Sequence, residues 1–156
     1  FFLYCLYETE FKRKYLDGSL KSELTSKAAI KLITGFRKSY VNAAKKSKRF
    51  SPPKNIEEIA HGASSILSLG HCTGEGWFLT GEMVELLNEG VNNIVCMQPF
   101  ACLPNHVTGK GVIKKLKSKY ERANIAAIDY DPGASYVNQV NRIKLMLNKA
   151  FEDIGK

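Results

Sequence analysis

Apolar positions in the first third of the chain recur at helical spacing. Leu24, Ala28, Leu32, Phe36, Tyr40 and Ala44 fall at every fourth position, with Ile33 and Val41 beside them. They predict one amphipathic helix over residues 24–49, apolar side inward and basic face outward. Pro52 and Pro53, which have no backbone donor, end it. Asn55 reads as the cap of a second helix with Ile56, Ile59, Ala60, Ala63 and Leu67 on its apolar face, running to Leu69. Glu57 and Glu58 stand in its first turn, where the helix dipole favours acids.

Gly70 to Gly76 reads as a glycine-rich loop. Trp77 to Asn88 follows as a helix through Phe78, Met83, Val84, Leu86 and Leu87, closed by Gly90. The period then changes. Val91 to Met97 holds the compact apolar run Ile94-Val95-Cys96-Met97, as a buried strand should, and a loop continues through Cys102 and His106. Gly111 to Tyr120 is a short basic helix, Asn124 to Ile128 a second strand and Asp129 to Gly133 a turn. Residues 135–151 form a last helix on Val137, Val140, Ile143, Leu147 and Phe151. A helical N-terminal segment followed by β-α-β-α predicts an α/β fold with a parallel sheet. Two strands are few for a complete sheet, so either Phe1 to Tyr7 supplies another or the missing ones lie upstream. The expected organisation is a basic helical segment, 1–54, and an α/β domain, 55–156, together one structural unit. There is no internal repeat.

With 156 residues, 44% of them hydrophobic, the chain has room for one sizeable core. No apolar run reaches the roughly 20 residues that cross a bilayer. A soluble, cytoplasmic protein without membrane contact is expected. Phe1 to Tyr7 has no initiator Met, basic flank or cleavage site, so the chain is expected to start inside a larger polypeptide. The net charge of +8 is unevenly spread: residues 55–100 contain no Lys or Arg, and the segments on either side are basic. Such surfaces suit a coenzyme A-type ligand or simple solvation. The interleaved aromatic and Arg pattern of a nucleic-acid platform is missing, and no nucleic-acid partner is expected. The cysteines at 5, 72, 96 and 102 include no C-x-x-C, which excludes a zinc ribbon or thioredoxin motif and fits a reducing compartment.

Ligands of open parallel sheets bind beyond the carboxyl ends of the strands, and both unusual motifs fall there. Cys102, between Pro99 and Pro104, sits in a stiff loop suited to a thiolate ligand. A buried cysteine acting as a small apolar group is the competing reading. Cys96, inside the apolar strand, and Cys5 read as packing residues. Cys72 lies in Gly70-His71-Cys72-Thr73-Gly74-Glu75-Gly76, where flexible backbone can approach a cofactor; Cys72, Glu75, His71 and His106 are the further candidates beside Cys102. Asp129 and Asp131 suit a divalent metal and phosphoryl chemistry, or a turn followed by a helix capped by Ser135. Gly109-Lys110-Gly111 lacks the first Gly and the Ser/Thr of a phosphate loop, so no ATP site is expected in this chain. G-x-S-x-G, H-E-x-x-H and G-x-G-x-x-G are absent.

The stretches Gly74-Glu75-Gly76, Gly90-Val91-Asn92-Asn93-Ile94-Val95, Gln98-Pro99-Phe100-Ala101-Cys102-Leu103-Pro104 and Ile128-Asp129-Tyr130-Asp131-Pro132-Gly133-Ala134-Ser135 resemble the C-terminal region of the acyl-CoA dehydratase activase-related proteins. The resemblance covers essentially the whole chain and is strongest from Gly70 to Leu147. It implies a dehydratase-like domain within the superfamily of 2-hydroxyglutaryl-CoA dehydratases and their activators, in anaerobic bacteria. Cys102 takes the place of a [4Fe-4S] ligand, with Ala101 where relatives carry Gly. Implied too is ATP-driven, low-potential electron transfer for 2-hydroxyacyl-CoA dehydration, a lyase reaction. ATP would sit on another domain, and the cluster would belong to the full parent, absent from the isolated, inactive fragment. Expected partners are upstream ATPase or dehydratase-like domains, or homologous subunits, and acyl-CoA. Two other functions stay open: a non-catalytic docking module that binds a dehydratase or activase through its basic helix, at Lys45, Lys46, Lys48 and Arg49, and a phosphate- or nucleotide-binding enzyme using Asp129 and Asp131.

Overall fold

The segment Phe1 to Tyr7 is helix, not strand. In the computed structural model, which describes residues 1–154, it opens α1, Phe2–Tyr15, which packs along α2, Leu20–Lys46. These helices belong to the first of two compact units, Phe1–Glu58; the second begins at Ile59. Ser19 caps α2, its hydroxyl accepting from Ser22 N at 3.1 Å. Glu23 in the first turn pairs with Arg13 of α1 and, at 2.6 Å, with Lys27 one turn on. The helix stops at Lys46, short of the expected residue 49. There Ser47 Oγ accepts from Arg49 N and Phe50 N, offering the chain a turn in place of another helical bond.

The large residues of the α2 stripe do not form its buried face. Leu24, Leu32, Phe36 and Tyr40 are exposed, Ile33 and Val41 beside them are half-buried, and of the stripe only Ala44 is buried, together with Ser26. A repeat of four overshoots the 3.6-residue turn, so the stripe winds round the helix and cannot all meet one neighbour.

In the second unit, α3, Ile56–Ser64, begins just before the boundary and ends earlier than Leu69. Ser64 and Ser65 hydroxyls donate to the carbonyls of His61 and Gly62, and Ile66 N and Leu67 N close a final turn on Ala63 O. Then come α4, Trp77–Asn88, and β1, Asn93–Pro99. A π-helical turn, Asn105–Gly109, and a 3-10 turn, Lys110–Val112, lead into α5, Ile113–Lys119. Last come β2, Asn124–Tyr130, and α6, Tyr136–Ile154. The region around His106 is thus helical rather than loop, and Asp129 lies in β2 rather than in a turn.

β1 and β2 pair in parallel, from Asn93 beside Asn124 to Pro99 beside Tyr130. Ile94 and Ile125 enter one core with Ile66, Met83, Val84, Leu87, Val112, Leu116 and Ala123, which seats α4 and α5 on that face. Lys119 of α5 donates to Ser65 Oγ at 2.8 Å and Lys115 to the carbonyl of Ile66, setting cations where the last carbonyls of α3 end. The chain is a helical N-terminal region followed by a small parallel β-α-β-α unit of α/β type.

The last helix turns inward only the middle of its apolar spacing. Val140 and Ile143 are half-buried, but Val137 and Phe151 are strongly exposed and Leu147 moderately so, and the inward face is completed by buried Ala150 and half-buried Gln139 and Met146. Polar anchoring to β2 selects that face. Gln139 Nε2 donates to Asp129 O at 2.8 Å, Arg142 Nη1 to Ala127 O at 2.9 Å, and Asn124 Nδ2 to Met146 O at 2.7 Å. Among the described residues no helix is long and apolar enough to cross a membrane.

Candidate functional site

The two strands end side by side, with Gln98 opposite Asp129 and Pro99 opposite Tyr130, so the segments that follow them start from neighbouring points. After β1 the chain reverses in a four-residue turn closed by Cys102 N donating to Pro99 O at 3.2 Å. Its third residue, Ala101, has φ 53°, in the left-handed region that disfavours any side chain. The strained turn directs the chain into the helical stretch where His106 N donates to Cys102 O. It also sets the thiol: Cys102 Sγ donates to Asn105 Oδ1 at 2.9 Å, and Asn105 Nδ2 donates to Met97 O at 2.8 Å.

That arrangement has a chemical consequence. Asn105 is oriented by the β1 carbonyl, so its oxygen, not its nitrogen, faces the sulfur. A metal ligand is the thiolate. A thiolate could not donate to Asn105 Oδ1, so for Cys102 to act as a ligand Asn105 would have to turn aside.

The glycine-rich loop reaches the same place. Gly74 has φ 63°, and a Cβ there would lie 2.8 Å from Pro104 Cγ, so this loop packs directly on the segment that carries Cys102. Trp77, fully buried, is fastened to it by its own N–H, which donates to His71 O at 2.7 Å. One turn further, Thr80 Oγ1 donates to Thr108 O, and Thr108 Oγ1 to Pro104 O, both threonines being buried. Loop 70–76 and the segment 100–109 thus form one packed structure. Cys72 and Glu75 are half-buried on its glycine-rich side, and Cys102 and His106, also half-buried, on the other.

The structure does not gather these residues into a metal centre. Among the described residues no group of three or more His, Cys, Asp or Glu side chains is placed to hold a metal ion, and none of the four cysteines is in a disulfide. A [4Fe-4S] cluster takes about four ligands, most often thiolates. The described residues of this chain by themselves do not fit one.

The aspartates are engaged in structure. Asp131 Oδ1 accepts from Gly133 N at 2.8 Å, an ordinary Asx turn, and Asp129 Oδ1 stands 3.7 Å from Lys110 Nζ. Both line a hollow of about 180 Å³ with Ser135, Asn138, Gln139 and Arg142. Ser135 Oγ faces Asn138 N at 3.5 Å at the start of α6.

Cys96 and Gln98 form a second, buried feature behind the turn. Burial pushes the Cys96 thiol up, against the hydrogen bond from Gln98 Nε2 at 3.1 Å, so the thiol stays neutral. Gln98 is 1% exposed and its Oε1 has no hydrogen-bond partner. A half-turn of the amide would let the Cys96 thiol donate to that oxygen.

Asn105 and the Thr80–Thr108 pair are parts of this site that the sequence does not single out, and Lys110, met there only in a rejected phosphate loop, stands beside Asp129. Only Asn105 carries a signal, as an amide three residues after a cysteine at a helix start. A larger hollow, of about 890 Å³, belongs to the first unit; among its lining residues are Leu6, Tyr7, Glu10, Lys27, Ile30 and Thr34. Burial, with Glu10 and Glu57 nearby, raises the Tyr7 phenol there. Comparison with known protein families, with curated proteins and with solved structures gives no match for this chain.

Proposed function

We propose that the unit from Ile59 onward presents Cys102 as one thiolate of a shared iron–sulfur site in a 2-hydroxyacyl-CoA dehydratase system. The carrying observation is positional. Cys102 lies at the carboxyl edge of a parallel sheet, on a turn that keeps φ 53° at an alanine and leaves the sulfur half-buried, with a single side-chain partner. The resemblance of Gln98 to Pro104 and of Ile128 to Ser135 to the activase-related proteins adds the identity of the metal group and of the acyl-CoA chemistry. Such a cluster supplies low-potential one-electron transfer when bound. This chain's part is to hold one ligand, to release it from Asn105, and to back the turn with loop 70–76.

The test is iron and sulfide analysis, with visible absorption, of the anaerobically reconstituted polypeptide or assembly that carries this chain. Cluster content is expected, with the visible absorption altered or lost in Cys102→Ser and retained in Cys5→Ser. Unchanged iron, sulfide and absorption in Cys102→Ser would sink the assignment.

A further inference from the structure

Along the outer side of β2 the second unit holds a hollow of about 420 Å³, within the span of roughly 300–1,000 Å³ usual for small-molecule sites. Its floor is the strand from Asn124 to Ala127, and its walls come from α5, the turn before it, and α6. Lys110, Lys117 and Arg142 line it, no Asp or Glu among the described residues does, and Ile113 and Leu145 give it apolar walls. The cations are set out along the groove. Lys110 Nζ stands 3.7 Å from Asp129 Oδ1 near the end of β2, and Arg142 Nη1 donates to Ala127 O, nearer the middle. Because α5 returns from the end of β1 to the start of β2, Lys117, about two turns after Lys110, lies towards Asn124.

The strand's own backbone sharpens the sign of what fits there. Asn124 N bonds to Asn92 O, so the ladder uses Asn124, Ala126 and Ile128, and Ile125, Ala127 and Asp129 turn their peptide groups away from β1. The carbonyls of Ala127 and Asp129 are taken by Arg142 and Gln139. The N–H groups of Ile125 and Ala127 have no acceptor among the described residues, although these residues are only 4% and 7% exposed. Backbone donors so deep call for an acceptor. An added peptide strand would bring donors as well, against carbonyls already engaged, whereas an anion brings acceptors alone. Among the described residues Lys117 forms no ion pair, and Arg142 meets a carbonyl rather than a carboxylate. Asp131, which shares an adjoining hollow with Arg142, accepts from Gly133 N and forms no ion pair. A phosphomonoester, with three acceptor oxygens and about −1.5 to −2 charges at pH 7, answers such a set of donors better than a singly charged carboxylate.

We infer that the groove along β2 binds a phosphomonoester with an apolar body, its phosphate between Lys110 and Arg142 against the Ala127 N–H and its body over Ile113 and Leu145 towards Lys117. Phosphoryl chemistry at Asp129 and Asp131 would need a divalent metal between carboxylates and phosphate; here the chain's own cations and N–H groups meet the phosphate directly. The groove does not rest on the reading of Cys102, and binding in it requires no cluster.

The probe is naphthyl phosphate, titrated into the full chain while its amide resonances are followed by nuclear magnetic resonance. It should bind saturably with a Kd on the order of 100 μM, more weakly as salt is raised, and shift the amides of Ile125 and Ala127. Inorganic phosphate, which has no apolar body, and naphthoate, which has a single charge, should each bind at least about tenfold more weakly. Lys110→Met should weaken naphthyl phosphate at least about tenfold and Lys117→Met about threefold, with helicity unchanged in both because these side chains are at the surface. Absent saturable binding, amide shifts confined to other residues, or unchanged affinity in Lys110→Met overturns the proposal. So does equal affinity for inorganic phosphate or for naphthoate, which would leave no role for the apolar walls or for the second charge.

Discussion

The two units use apolar residues in opposite ways. In the second, Trp77, Leu116 and Ile128 are at most 1% exposed, and the central cluster draws on α4, α5 and both strands. In the first, α2 has only Ser26 and Ala44 buried, and Leu24, Leu32, Phe36 and Tyr40 face outward. The second is stabilised by burial of apolar area. The first rests more on helix capping, on the pairing of Arg13, Glu23 and Lys27, and on the contact between α1 and α2. The lesson is that an apolar residue at helical spacing reports a contact surface, and only the neighbours decide whether that contact is made within the chain.

The sharpest way to break this comparison is to truncate one large aromatic in each unit. Trp77→Ala should cost about 3–5 kcal/mol of unfolding free energy in urea, whereas Phe36→Ala should stay within about 0.5 kcal/mol of the parent. Similar losses in both would show that the first unit's stripe is packed after all.

A middle-sized effect comes from the backbone. Ala101→Gly relieves the left-handed strain after β1 and should raise stability by about 1 kcal/mol. Gly35→Ala should do the same in the first unit by restoring helix propensity in open space. Both are read as a shift in the urea midpoint. A destabilising Gly35→Ala would mean that a neighbour within the chain approaches Gly35 after all.

The smallest expected effect is electrostatic. The hydrogen bond from Lys27, and then the charges of Lys27 and Arg13, hold the Glu23 carboxyl below its usual value. A lowered folded pKa means that this contribution is complete above the ordinary carboxylate range and fades as pH falls through the folded value. Helix content followed from pH 7 to pH 3 should therefore fall less steeply in Glu23→Gln than in the parent. Parallel curves would remove the pair from the account of the first unit.

What could be read from the residues follows the same division. The β-α-β-α order was legible because the change from period four to a compact apolar run is local, and Asn92-Asn93 and the turn after Tyr130 bound the strands. The helical state of Phe1 to Tyr7 was not, since a continuous aromatic run has no period that separates strand from helix. Of the inward face of α6 only its middle, Val140 and Ile143, was legible; the rest is chosen by Gln139, Arg142 and Asn124 reaching backbone atoms. At the candidate site the position of Cys102 could be read from its prolines. Its bond to Asn105 could not, because that bond depends on the left-handed turn at Ala101, which an alanine does not advertise.

The backbone donors and acceptors on the two outer sides of the sheet carry one more consequence. Asn124 N donates to Asn92 O, so Ala127 and Asp129 turn their carbonyls outward on the far side of β2, where Arg142 and Gln139 already occupy them. On the far side of β1, Asn105 occupies only Met97 O, Val95 and Met97 are exposed, and no charged residue stands between Gly90 and Gly109 to repel a neighbour. The sheet therefore has one closed end and one open end. Any strand that extends it would join at β1, making β1 an interior strand and leaving β2 as the border.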